Sequence, residues 1–169
     1  MKLNLGCGNK ILTGYTNVDI VDERNGMVPD INCDITDLKV FEDNSADEIL
    51  TVHVIEHFYY WEIPAVLNEW KRVLKPGGTL ITETPDLLNA CRVIVADPDM
   101  GARPEANMST WPLYGNPFEK DPLMCHKWLF TPGSLSELLS GVGFVDIRQE
   151  PAKYKMREPR DFRIVCNKP

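Results

Sequence analysis

Leu3-Asn4-Leu5-Gly6-Cys7-Gly8, followed by Asn17-Val18-Asp19-Ile20, is the stretch on which the fold turns. Lys2 to Leu5 alternates polar and apolar residues and stops at Gly6-Cys7-Gly8, which predicts a strand running into a glycine turn. Tyr15 to Ile20 is a second β-rich piece that carries Asp19 near its end. Glycines after a first strand let the backbone approach a ligand where a Cβ would collide. An acid ending the next strand can accept hydrogen bonds from ribose hydroxyls. Gly-x-Gly alone also occurs in plain turns; joined to that acid, it points to a nucleoside or nucleotide.

Outward from this point, strands and helices alternate. Ile31 to Cys33 predicts a short third strand before Asp34, and Glu48 to Val52 a buried fourth after the turn signal Asp43-Asn44-Ser45. Val66, Leu67, Trp70, Val73 and Leu74 recur at helical spacing, with Pro64 in the first turn and Pro76-Gly77-Gly78 ending the helix. Thr79 to Thr84 reads as a fifth strand, and Leu88, Cys91 and Val95 suggest a further helix. Leu135, Leu138, Leu139 and Val142 mark an amphipathic helix with Thr131 as N-cap, Pro132 first, and Gly141 and Gly143 closing it. Phe144 to Arg148 and Phe162 to Cys166 are the last two strands. Such alternation predicts a mainly parallel sheet covered on both faces, with ligands at the carboxyl ends of its strands. Between Asp97 and Lys127, Pro98, Pro104, Pro112, Pro117 and Pro122 bar long regular elements.

The 169 residues suffice for one domain with a sizeable core. A formal charge of -7 argues against duplex nucleic acid, whose phosphates call for a basic surface. Cys7, Cys33, Cys91, Cys125 and Cys166 are odd in number and lack a CxxC pair, which reads as reduced thiols in a cytoplasmic protein with no metal site among them. No apolar run is long enough for a membrane span and no signal-peptide pattern opens the chain, so neither a membrane nor a leader is expected.

In the order and spacing of its motifs the chain resembles the class I S-adenosylmethionine-dependent methyltransferases, especially the small type 11 family. The glycine turn, Asp19 and Cys33-Asp34-Ile35 carry this resemblance, with Phe41 to Ile49 (FEDNSADEI), His53-Val54-Ile55-Glu56-His57 and Leu74 to Ile81 (LKPGGTLI). Leu138-Leu139 and Gly143-Phe144 complete it. The resemblance implies a Rossmann-like three-layer α/β sandwich, with a mainly parallel seven-stranded sheet whose last strand is antiparallel. It implies S-adenosylmethionine as cofactor: Gly6, Cys7 and Gly8 beside its amino-acid part, Asp19 on the ribose, Asp34 on the adenine, and Ile20 and Ile35 flanking the ring. Residues 1–169 then form a single methyltransferase domain, with 85–127 a lid over a small-molecule acceptor.

Two departures matter. Asn4 stands where an acid is common, and Lys10 where a third glycine is common. Residues 9 to 18 are too few for a helix and a strand, so the first helix is expected to be shortened or missing. Its loss would open the pocket and could expose an apolar sheet face for a second copy, making a homodimer. A nicotinamide-binding domain is the nearest rival, but Gly-x-Gly-x-x-Gly fails at Ile11. A protein that binds S-adenosylmethionine or S-adenosylhomocysteine without catalysis is the other alternative.

Methyl transfer asks mainly for in-line alignment and exclusion of water, and an oxygen or nitrogen acceptor can also need a base. His53, leaving the fourth strand, and His126 are the catalytic candidates, with His53 also placed against the cofactor; packing or turn capping is the alternative for each. Glu56 and His57 read as a structural start to the next helix. No Asn/Asp-Pro-Pro-Tyr motif is present, which speaks against nucleic-acid base methylation. Tyr59, Tyr60, Trp61, Trp111, Tyr114, Phe118 and Trp128 include candidate acceptor-pocket residues. Lys153, Lys155, Arg157 and Arg160 read as a solvated hairpin loop.

Overall fold

The computed structural model describes residues 1–154 and 160–169. Lys155 and Arg157 lie outside the described residues. One sheet contains β1 (Lys2–Leu5), β2 (Thr16–Asp19), β3 (Ile31–Asn32), β4 (Ala46–Val52), β5 (Leu74–Pro85), β6 (Val145–Glu150) and β7 (Asp161–Asn167), in the order β3-β2-β1-β4-β5-β7-β6. The first five strands pair in parallel, and β7 runs antiparallel to both β5 and β6. The chain leaves β1 in one direction to β2 and β3, then returns to add β4 on its other side. That reversal opens a crevice at the carboxyl ends of β1 and β4, where ligands bind in such sheets.

Alternation along the strands sorts two unlike faces. Leu3, Leu5, Val18, Ile49, Leu80 and Ile164 enter the main core with the buried stripes of α1 (Ile63–Val73) and α5 (Pro132–Val142). Trp70 anchors this layer, fully buried, with its indole N–H donating to the Ile35 carbonyl at 2.9 Å. The helix α1 stops earlier than the Pro76-Gly77-Gly78 boundary: Leu74 is already extended, and β5 starts there. Lys75, as the residue before a proline, is itself biased away from helical geometry. Thr131 and Ser134 cap α5 reciprocally, and Gly143 closes it at φ 92°.

On the opposite face Leu50, Ile81 and Val165 form a small cluster under Leu12, Tyr15, Val52 and Tyr154, none of them helical. No helix lies between β1 and β2, as the short link required. Asn17 holds the link instead. Its side-chain oxygen accepts the Leu12 N–H at 2.8 Å and the Asn4 amide at 2.9 Å, while its amide donates to Asp30 at 2.8 Å. Asn4, replacing the usual acid, also donates to the Lys10 carbonyl at 2.8 Å. The expected exposed apolar face is therefore not found among the described residues. Polar Asn4, Asn17 and Glu48 occupy strand positions there, and loop side chains cover the apolar ones.

The segment after β5 is short-jointed, as its prolines predict: α2 (Leu87–Ala96), α3 (Pro98–Gly101) and α4 (Thr110–Tyr114), then a 3-10 turn at Pro122–Met124. The helix α2 forms, but Leu88 and Val95 face solvent and Ala90 is its buried residue.

Candidate active site

Gly6 has φ 65°, and its N–H donates to the Val18 carbonyl at 2.8 Å. A Cβ built there would lie 2.6 Å from Val54 Cγ2, so only glycine fits. The turn continues through Cys7 to Gly8, whose N–H donates to Asp19 Oδ2 at 2.6 Å. Asp19 Oδ1 accepts the Val21 N–H at 3.0 Å. Asp34 Oδ1 accepts the Thr36 N–H and hydroxyl at 2.8 and 2.7 Å. Burial, and secondarily the Asp19 charge, push the Cys7 thiol up to about 11, so it is a neutral neighbour of the turn and not a nucleophile.

A single cavity of about 620 Å³ collects the sequence candidates. Gly6, Cys7, Gly8, Asp19, Ile20, Asp34, Ile35, His53 and His126 all line it. Of the seven aromatic candidates only Trp111 does. Tyr59 and Trp61 stack on each other at the surface, and Tyr60 packs against Trp128 in a separate groove. Arg160, expected in a solvated loop, is buried in the cavity wall instead. It donates to Asp161 at 3.0 Å and to the Asn107 carbonyl at 3.2 Å, because β7 begins at Asp161 and draws it inward.

Behind the cavity lies a cluster of buried polar groups. His53 ends β4 in the left-handed region at φ 57°, a conformation costly for a side-chain-bearing residue and common where function constrains the chain. Its N–H donates to the Glu83 carbonyl at 2.8 Å. Its ring spans two carboxylates, Nδ1 lying 3.4 Å from Glu56 and Nε2 3.3 Å from Asp161. Glu56, fully buried in the 3-10 turn Ile55–His57, accepts the Thr84 hydroxyl at 2.9 Å through Oε2. Burial alone would raise its carboxyl; the charges of His53, His126 and His57 hold it below the ordinary range. Asp161 is likewise held low against burial, by His53 and Arg160. Burial, outweighing Glu56, pulls the His57 imidazole down.

The match to known proteins follows this geometry. Residues 3–82 match the profile of the family described as "Methyltransferase domain". That stretch, just under half of the 169 residues, resembles a methyltransferase domain. A search of curated proteins found no match. Solved structures share the fold of this chain. A SAM-dependent methyltransferase from Archaeoglobus fulgidus is 17% identical with TM-score 0.63, the match covering 98% of this chain and 85% of that one. A possible histamine N-methyltransferase from Thermotoga maritima is 18% identical with TM-score 0.67, covering 99% and 82%. The Burkholderia thailandensis 1,6-didemethyltoxoflavin N1-methyltransferase, solved with S-adenosylhomocysteine, is 14% identical with TM-score 0.61, covering 98% and 69%.

Several residues in or behind the cavity escaped sequence reasoning. Asp161 and Arg160 have no motif around them and reach the site only because β7 inserts beside β5. Arg24, Asn116 and Glu119 come from loops and Met124 from a single 3-10 turn, where spacing carries no periodic signal. Arg24 pairs with Asp121 at 3.2 Å, joining the loop after β2 to the segment before His126.

Proposed function

We propose that this chain is a methyltransferase that acts on a small acceptor held between His53, His126 and the segment 85–127, which serves as its lid. The observation that carries this reading is the continuity of the cavity. The glycine turn and Asp19 stand at one part, while Trp111, Gly115, Asn116 and His126 of the lid segment line another. S-adenosylmethionine supplies a methyl group already activated on a sulfonium.

The residues suit that cofactor. The Gly6 backbone leaves no room for a Cβ, which suits close approach by the cofactor's amino-acid part beside Cys7 and Gly8. A carboxylate has about four lone-pair sites. Two at Asp19 are taken by Gly8 and Val21, and the rest suit a ribose diol. Asp34, which lines the same cavity as Ile20 and the buried Ile35, would take the adenine. His53, its ring between Glu56 and Asp161, orients the acceptor side and contacts the cofactor; His126 faces the acceptor.

A small acceptor fits the acidic chain better than duplex nucleic acid. Among the described residues no helix is long and apolar enough to cross a membrane. The five free cysteines suit the reducing cytoplasm. Calorimetry with S-adenosylmethionine and S-adenosylhomocysteine, then a labelled-methyl screen over acceptor pools, tests the proposal. Binding that Asp19→Ala weakens, with transfer to a small-molecule fraction, is the expected result. Binding without transfer to any pool would favour the non-catalytic alternative, and binding of NAD alone would overturn the cofactor assignment.

A further inference from the structure

Glu56, His57 and His126 bring one ligand atom each to within 4.8 Å of one another. Each histidine is oriented by its outer nitrogen. His126 Nδ1 lies 2.6 Å from the Pro112 carbonyl, and His57 Nδ1 lies 3.2 Å from the Cys125 carbonyl. A carbonyl only accepts, so both Nδ1 atoms carry the proton and donate it outward. With the rings neutral, as metal ligation requires, Nε2 then presents a lone pair. His126 Nε2 lies 4.0 Å from Glu56 Oε1, and the two rings meet edge to face with centroids 4.8 Å apart.

Glu56 Oε1 is the decisive atom. It is fully buried and accepts no hydrogen bond among the described residues, its nearest polar neighbour being His53 Nδ1 at 3.4 Å, whereas Oε2 accepts the Thr84 hydroxyl. An unsatisfied carboxylate oxygen at such burial is costly. The separation from His126 is too long for a hydrogen bond. Tetrahedral bonds of about 2.0–2.1 Å would set ligand atoms roughly 3.3 Å apart. To hold an ion, the side chains must close by under an ångström at the Glu56–His126 pair and by more across the widest, 4.8 Å, separation. Histidines that donate one nitrogen to a backbone carbonyl and offer the other inward are the usual supporting arrangement of metal ligands.

We propose that Glu56, His57 and His126 bind a divalent first-row transition-metal ion. Two imidazoles and one carboxylate suit such an ion better than Mg²⁺, which prefers oxygen donors and water. His57 and His126 both line the cavity while Glu56 stands behind them, so the ion's open positions face the acceptor space. Resting on the function proposed above, the site favours acceptors that bring oxygen donors, such as a hydroxyl or a vicinal pair of hydroxyls, to complete the coordination.

The test is titration of chelator-treated protein with Co²⁺ alone, read by visible absorption and by calorimetry, with Mg²⁺ as competitor. One Co²⁺ per chain is expected, not displaced by Mg²⁺, with a thermal midpoint that rises on binding. Separate His126→Ala and His57→Gln variants are each expected to lose affinity at least about tenfold, as even lost supporting partners do in metal sites. Midpoints of the metal-free variants report whether each still folds. Absence of Co²⁺ binding at micromolar concentration, or binding that neither folded variant weakens, would overturn the site. S-adenosylhomocysteine calorimetry on the metal-free protein tests the cofactor assignment separately, so failure of the metal site and failure of the methyltransferase reading give different results.

Discussion

Asp19 accepts the backbone N–H of Gly8 at 2.6 Å, so the end of the second strand is tied directly to the glycine turn in the wall of the cavity. Asp19→Asn keeps an oxygen for Gly8 but removes the charge. Hydrogen bonds to charged groups are worth about 1.5–3 kcal/mol, so S-adenosylhomocysteine affinity is expected to fall roughly tenfold to a hundredfold. Calorimetry checks this, and an affinity within twofold of the parent would contradict the ribose assignment.

Gly6 and Gly8 both have positive φ but differ in space. An added Cβ at Gly6 would meet Val54 Cγ2 at 2.6 Å, whereas at Gly8 the nearest atom is Arg24 Cδ at 3.8 Å. Gly8→Ala is expected to cost about 1–2 kcal/mol of stability, for the left-handed conformation alone. Gly6→Ala adds an overpacking penalty of about 1–3 kcal/mol. Chemical denaturation of the two variants gives the order; equal losses would mean that Val54 yields without cost.

Trp70 and Trp61 stand nine residues apart on opposite sides of the burial divide. Trp70→Ala is expected to cost about 3–5 kcal/mol and leave the Ile35 carbonyl without its donor. Trp61, 73% exposed and stacked on Tyr59, is expected to change stability by less than about 0.5 kcal/mol on replacement by alanine. Urea unfolding followed by circular dichroism separates the two.

Burial pushes the Cys7 thiol up to about 11 and the Cys166 thiol to about 12, from an ordinary 9.0. Thiolate is the reactive form, so iodoacetamide at pH 8 is expected to label exposed Cys91 and Cys125 and spare Cys7 and Cys166. The same raised values make stability pH-dependent. Above about pH 9 the unfolded chain releases these protons before the folded one, so stability falls as pH rises through about 9 to 12. Mass spectrometry of the labelled protein and denaturation across that range check both halves. Rapid labelling of Cys7 at pH 8 would contradict its burial.

The first strand, its glycine turn and Asp19 were legible because they depend on neighbours within about twenty residues of chain. The same holds for α1 and α5, whose apolar stripes repeat at helical spacing and whose caps are local. The α2 stripe misled because periodicity reports a face, not which way that face points; Leu88 and Val95 meet solvent. Asn4 and Lys10 registered only as departures from a pattern. Their meaning, a polar clasp around Asn17 that replaces a helix, needs the strands side by side.

The sequence alone determined the architecture and brought Gly6, Gly8, Asp19 and Asp34 to notice, residues that line one cavity, because strand alternation, glycine turns and strand-end acids act over short chain distances. The tertiary structure decided the rest. Only the insertion of β7 beside β5 carries Asp161 to His53, across more than a hundred residues of chain. Only the return of the segment before α5 brings His126 toward Glu56 and His57. A buried carboxylate oxygen with no hydrogen-bond partner is a property of packing, since its surroundings are assembled from distant segments.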